Sequence, residues 1–161
     1  MGPVRAISTC LRKYATFSGR ASRSEYWWFG LAVILTSIVA LIIDTVVFDA
    51  LNTDGYMITP VLELFSLALL LPSWSVAVRR MQDIGQNGKI WFWAFAMYYT
   101  AVYFGTFLDI TGFAPDYDET RFFTAIVIII ALFLLVHILL AIKRSQSVEN
   151  KYGPNPNEVT P

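Results

Sequence analysis

The chain has 161 residues, 56% of them hydrophobic and 15% charged, with 12 Lys and Arg against 12 Asp and Glu. A single cysteine, Cys10, excludes an intrachain disulfide and argues against redox chemistry. The basic residues fall in short clusters beside apolar runs rather than in a continuous patch, which argues against nucleic-acid binding.

Residues 1–25 form a polar leader. Within it Val4, Ile7, Leu11, Tyr14 and Phe17 recur at spacings of three and four, with Arg5, Ser8, Thr9, Arg12 and Lys13 elsewhere on the wheel. The spacing predicts a short amphipathic helix. Its basic flanks suit a helix lying in the cytoplasmic headgroup region, and its stripe equally suits packing on the protein's own cytoplasmic loops. Ser22 followed by Glu25 just before an apolar run forms a capping box, in which each side chain accepts from the other's backbone N–H. Glu25 also lies at the level of Arg79 and Arg80, so an ion pair between the first and second spans is a compatible use.

Four apolar stretches follow, at 26–48, 61–78, 90–108 and 122–142. Each is near the ~20 residues needed to cross ~30 Å of hydrocarbon. The first is too long for a signal-peptide core and reads as a retained anchor. The second begins with Thr59 and Pro60, a cap and a favoured first helical residue, and Glu63 in its first turn suits the helix dipole. Pro72 inside it removes the hydrogen bond to the carbonyl of Ala68, and Ser73 and Ser75 are the nearby candidates to satisfy the freed groups. Arg79 and Arg80 stand four and three residues before Asp83, close enough for an ion pair within one turn before Gly85 stops the helix. Asn87-Gly88 then turns the chain into the third stretch. With loops of about a dozen residues, this organisation predicts one membrane domain over 26–142, a tail over 143–161 and no appended soluble catalytic domain.

Orientation follows from charge. Eleven of the twelve Lys and Arg precede the first span, lie between the second and third, or follow the fourth; only Arg121 is on the other side. The positive-inside bias places those regions and both termini in the cytoplasm. The fold expected is therefore an all-α integral membrane bundle of four transmembrane helices, with an N-terminal interfacial helix. Its basic face suits anionic lipids of the cytoplasmic leaflet. All five tryptophans, Trp27, Trp28, Trp74, Trp91 and Trp93, sit toward that leaflet. They read as an interfacial belt, or as the frame of a lipid-headgroup or quinone-like pocket with Arg20, Arg23, Arg79 and Arg80.

Three motifs carry a family resemblance. Ser18-Gly19-Arg20-Ala21-Ser22-Arg23-Ser24-Glu25-Tyr26-Trp27, Leu71-Pro72-Ser73 through Val78-Arg79-Arg80-Met81-Gln82-Asp83-Ile84-Gly85, and Asn150-Lys151-Tyr152-Gly153-Pro154-Asn155-Pro156 resemble the domain-of-unknown-function 805 family. The resemblance covers nearly the whole chain. It implies a small bacterial inner-membrane protein and brings no established activity, substrate or cofactor. The chain departs from the family pattern at Gln82, where histidine is usual, and near Lys89, where tryptophan is. A proton-transfer role for such a histidine has no counterpart here.

No enzyme constellation is visible: one histidine and one cysteine on different segments make no metal site, and no nucleophile elbow, phosphate loop or HExxH pattern occurs. The candidate sites are two. One is an interfacial ion-pair or lipid-headgroup cluster of Arg20, Arg23, Glu25, Arg79, Arg80 and Asp83. The other is an outer-leaflet polar cluster of Asp44, Glu63 and Arg121, in which Asp44 and Arg121 are placed to pair. His137 lies too far along the membrane normal from Asp44 for a proton pair. Small residues including Gly30, Ser37, Ala40, Ser66 and Gly105 permit close helix contacts within or between chains. The function expected is non-enzymatic, without a cofactor, exerted through lateral contacts as an accessory subunit of a larger membrane complex or as a homo-oligomer. A small oligomeric transporter or channel and a lipid-responsive membrane-stress factor are the alternatives.

Overall fold

The computed structural model describes residues 1–47, 59–111, 128, 131, 134, 135 and 137–157, with backbone alone for 101–111. The described residues are helical apart from turns, loops and one isolated bridge between Asn150 and Gly153. Helix α1 spans Pro3–Arg12, α2 Arg23–Val47, α3 Pro60–Asp83 and α4 Gly88–Thr111. Residues 137–142 are helical as well. The predicted fourth span, 122–142, otherwise lies largely outside the described residues.

Helices α2 and α3 are both long and apolar enough to cross a membrane, with mean hydropathies of 2.4 and 1.9 over their best windows. On α2, Ile34, Leu35, Ile38, Val39 and Ile42 are all exposed. Such a surface in water costs roughly 25 cal/mol per Å² and is stable only against an apolar medium. Both helices extend past the apolar runs. Helix α2 starts at Arg23 because Ser22 Oγ accepts the Glu25 N–H at 3.2 Å, so its first turn precedes Tyr26. Helix α3 runs through Asp83 because its last turn is stabilised by charge pairs instead of hydrocarbon.

Helix α2 packs on α3, α1 lies against both, and α4 packs on α3. The face that α1 presents to its neighbours is Ala6 and Cys10, both fully buried, rather than the apolar stripe. Small side chains let the helix approach closely, and the stripe divides as a result. Val4 and Leu11 remain exposed, whereas Phe17, beyond the helix end, packs edge-on against Trp74 and Phe92 at centroid distances of 5.3 and 5.0 Å. Trp74 in turn stacks on Phe92 at 4.6 Å.

The same segment mends the proline break. Tyr14 Oη donates to the carbonyl of Ala68, the acceptor that Pro72 leaves vacant. Ser75 does not serve that purpose; its buried hydroxyl is shared between the carbonyls of Lys13 and Thr16, at 2.9 and 2.8 Å. The proline-containing turn of α3 is thus fastened to the turn that ends α1.

At the other end of α3, Thr59 occupies the N-cap position and Pro60 the first turn, but the Thr59 side chain makes no capping bond. Asp44 of α2 supplies it: its two carboxylate oxygens accept from Val61 N and Leu62 N at 3.0 and 2.8 Å. The buried carboxylate satisfies two orphan donors at the positive end of the helix dipole. Asp44→Asn keeps one acceptor and loses the charge, and is expected to lower stability by about 1–2 kcal/mol. Thermal unfolding in detergent measures this, and an unchanged midpoint would show that the cap contributes nothing.

Candidate functional site

The first motif contributes Arg20 and Glu25 from the loop and first turn of α2, and the second contributes Arg79, Arg80 and Asp83 from the last turn of α3. All five are buried, at 6% exposure or less. Arg79 Nη1 donates to Glu25 Oε1 at 2.6 Å, Arg20 Nε donates to Asp83 Oδ1 at 2.9 Å, and Arg80 Nη1 donates to Asp83 Oδ2. Asp83 therefore sits between two guanidiniums. Arg23 stays outside this network, exposed at the start of α2. Glu25 keeps half of its capping role: its N–H bonds Ser22, while its carboxylate has turned to Arg79.

Residues 141–153 close the site. Arg20 donates to the carbonyls of Gln146, Val148 and Gly153, and Arg80 to those of Ala141 and Lys143. Ala141 and Lys143 lie at the end of the helical residues 137–142, where backbone carbonyls carry partial negative charge. Three guanidiniums thus face two carboxylates, and main-chain oxygens supply most of the further acceptors of Arg20 and Arg80. Asn150 Nδ2 donates to the carbonyl of Gln82 at 3.1 Å, and Gly88 N donates to Tyr152 Oη at 3.0 Å, so the tail also clasps the turn between α3 and α4. That turn requires Gly85, whose φ of 83° is in the left-handed region. Gln82 donates through Nε2 to the carbonyl of Phe17 at 2.9 Å. Its role is to fix the α1–α2 loop.

The five buried groups hold one another, so they are not arranged to grip a lipid headgroup. Desolvating two ions is only just offset by their mutual attraction, so the cluster specifies how three segments meet more than it adds net stability. Cys10 joins its edge, with Sγ 3.7 Å from Glu25 Oε1. Burial first, and then the Glu25 charge, push the Cys10 thiol from 9.0 up to about 12. Iodoacetamide is accordingly expected to leave Cys10 unmodified in the folded protein at pH ~8 and to label it once SDS unfolds the chain. Because the folded thiol titrates above the unfolded one, its contribution to stability is complete below pH 9.0 and is lost as pH climbs toward about 12. Ready labelling at neutral pH would show that α1 does not pack as described.

Of the outer cluster, Asp44 is the α3 cap described above and Glu63 is exposed in the first turn of α3. Arg121, and with it the expected Asp44–Arg121 pairing, lies outside the described residues. His137 meets Tyr26 instead of Asp44, with Tyr26 Oη and His137 Nε2 2.6 Å apart. This pair stands beside a cavity of about 500 Å³ lined by α2, α3, α4 and the segment containing Leu134, His137 and Ile138. The pair was foreshadowed only by depth: Tyr26 opens the first apolar stretch and His137 lies five residues from the inner end of the fourth.

A family model described as protein of unknown function DUF805 matches residues 14–154, a range that includes the first two motifs and the third as far as Pro154. Among curated proteins, the chain is similar to inner membrane protein YhaH of Escherichia coli K12, 31% identical over 78 residues, or 48% of this chain and 61% of YhaH. It is also similar to inner membrane protein YhaI of the same organism, 36% identical over 78 residues, or 48% of this chain and 60% of YhaI. The matched region thus spans about three-fifths of the length of these relatives. No solved structure matches.

Proposed function

The chain belongs to the DUF805 family of proteins of unknown function, bacterial proteins of the inner membrane, and on that premise we propose that it is a four-span, non-enzymatic protein acting through lateral contacts within the bilayer. It serves as an accessory subunit of a larger membrane complex or as a homo-oligomer, with anionic lipids on its cytoplasmic side. The observation that carries this reading is the inward turn of the motif charges. Arg20, Glu25, Arg79, Arg80 and Asp83 are consumed in holding three segments together, whereas the face of α2 from Ile34 to Ile42 is apolar and exposed. A protein whose charged residues build its own frame offers its apolar flanks to others. The contacts of Arg20 with residues 146–153 support both termini on one side, and the eleven cations support the cytoplasm as that side.

The test is mass spectrometry of the tagged protein extracted from its native membrane in mild detergent. A stoichiometric partner or a defined homo-oligomer is the expected result. A lone monomer would remove the reading, and solute flux through vesicles containing only this protein would replace it with the transporter alternative.

A specific observation also favours lipid responsiveness. Helix α1 exposes Val4 and Leu11 beside Arg5 and Arg12, and the turn that follows it is bonded to α3 on both sides of Pro72. A helix that lies in the headgroup layer and is fastened to a proline-containing turn of a spanning helix transmits changes in that layer. An environment-sensitive dye at residue 4, on a Cys10→Ser background, would report a shift with the anionic lipid content of the vesicle; no shift would discard this reading.

A further inference from the structure

The cavity beside Tyr26 and His137 plays no part in the arginine cluster. Its floor is buried side chains, among them Phe29, Val76, Ala77 and Phe95, whereas its rim is partly exposed: Trp27, Leu31 and Ile34 on α2, Leu134 and Ile138 on the helix opposite. A slot with an apolar exposed rim at this depth opens sideways into hydrocarbon, so its occupant enters from the bilayer.

Charge identifies the occupant. Trp27, Leu31 and Ile34 follow one face of α2, and the same face one turn earlier carries Arg23, which is exposed. On the opposite helix Leu134 and Ile138 lead to Lys143 and Arg144, both exposed just past its end. These two helix ends lie side by side. Arg80 bonds the carbonyls of both Ala21 and Lys143, and stands close enough to Arg23 to be repelled by it. The two adjacent helix ends beyond the slot therefore carry three exposed cations, Arg23, Lys143 and Arg144. A quinone has a neutral head and leaves those cations without a role; a phospholipid with an anionic head uses both parts.

We propose that this slot holds an acyl chain of one anionic phospholipid, whose phosphate rests on Arg23, Lys143 and Arg144. The proposal rests on the reading that this end of the protein meets the cytoplasmic leaflet. It adds to that reading a defined site and a ligand class.

The experiment is native mass spectrometry of the full-length protein after delipidation and exposure to equal amounts of phosphatidylglycerol and phosphatidylethanolamine. One phosphatidylglycerol retained per chain is expected. Gly30 lines the cavity, and a Cβ there would meet nothing within 4 Å, so Gly30→Leu fills the slot without a backbone clash. Retention should fall by about tenfold or more in this variant. Arg23→Gln combined with Arg144→Gln should bring phosphatidylglycerol down to the level of phosphatidylethanolamine, and Tyr26→Phe should leave it unchanged. The proposal is overturned by equal retention of the two lipids in the unmodified protein, by full retention in Gly30→Leu, or by retention of a co-purified quinone that Tyr26→Phe abolishes. Orientation is read separately, from labelling of Val148→Cys in a Cys10→Ser background by an impermeant maleimide in spheroplasts. Labelling from outside would overturn the cytoplasmic reading alone, because lipid retention in detergent does not depend on it.

Discussion

Asp83→Asn is expected to lower stability by about 3–5 kcal/mol and to loosen the tail as well. Asp83 is fully buried and accepts from Arg20 on one oxygen and Arg80 on the other. Both guanidiniums are themselves buried, so neither can turn to water for a replacement acceptor. The asparagine would keep one acceptor oxygen and place an amide NH₂ against a cation, so one arginine would face a donor. The damage would spread, because Arg20 and Arg80 also hold the tail through Gln146, Val148, Gly153, Ala141 and Lys143. The expected signature is therefore double: a large drop in the thermal midpoint in detergent, and protease sensitivity of residues 143–157 at temperatures where the helices persist. An Asp83→Asn protein with an unchanged midpoint and a protected tail would mean that the main-chain carbonyls alone balance the arginines.

Much of the bundle is legible in the sequence, and the limits of that legibility have physical causes. The apolar runs mark α2, α3 and α4 because hydrocarbon length fixes helix length, and the Ser22 cap follows from a spacing within one turn. The pairing of Arg80 with Asp83 is legible for the same local reason. Which partner Arg79 takes is not. Adjacent residues on a helix point about 100° apart, so Arg79 faces α2 and Glu25 while Arg80 faces the tail, and only the packing of the helices decides which is which. The tail's contribution was still harder to foresee. Its acceptors are backbone carbonyls, which every residue carries and no motif advertises. The vacancy at Ala68 follows from Pro72, but its donor, Tyr14, comes from 54 residues away. Asp44 was equally hidden as a cap. Its carboxylate accepts from the N–H groups of Val61 and Leu62, donors that any helix start leaves open and that no side-chain pattern marks.

The pair of Glu25 and Arg79 separates the frame from whatever the protein does with it. Arg79 is fully buried, with Nη1 on Glu25, Nε 3.4 Å from Ser75 Oγ, and Nη2 without a hydrogen bond among the described residues. Glu25→Gln is expected to cost about 3–5 kcal/mol, because it leaves a buried guanidinium facing a neutral amide. Arg79→Met alone should cost a similar amount, since Glu25 would keep only the weak Cys10 thiol as a side-chain donor. Replacing both at once removes both charges, and Glu25→Leu with Arg79→Met should recover most of the loss, as apolar substitution of a buried ion pair commonly does. The coupling in this double-mutant cycle, read from detergent melts, should be at least about 2 kcal/mol. Costs that simply add would mean that the two side chains do not depend on each other, and the geometry at 2.6 Å would then carry no energetic weight. The recovered double variant has a further use. If it is stable and still brings down the same partner or oligomer, the charges serve the frame alone. If it is stable and isolated, the ion pair itself takes part in the contact.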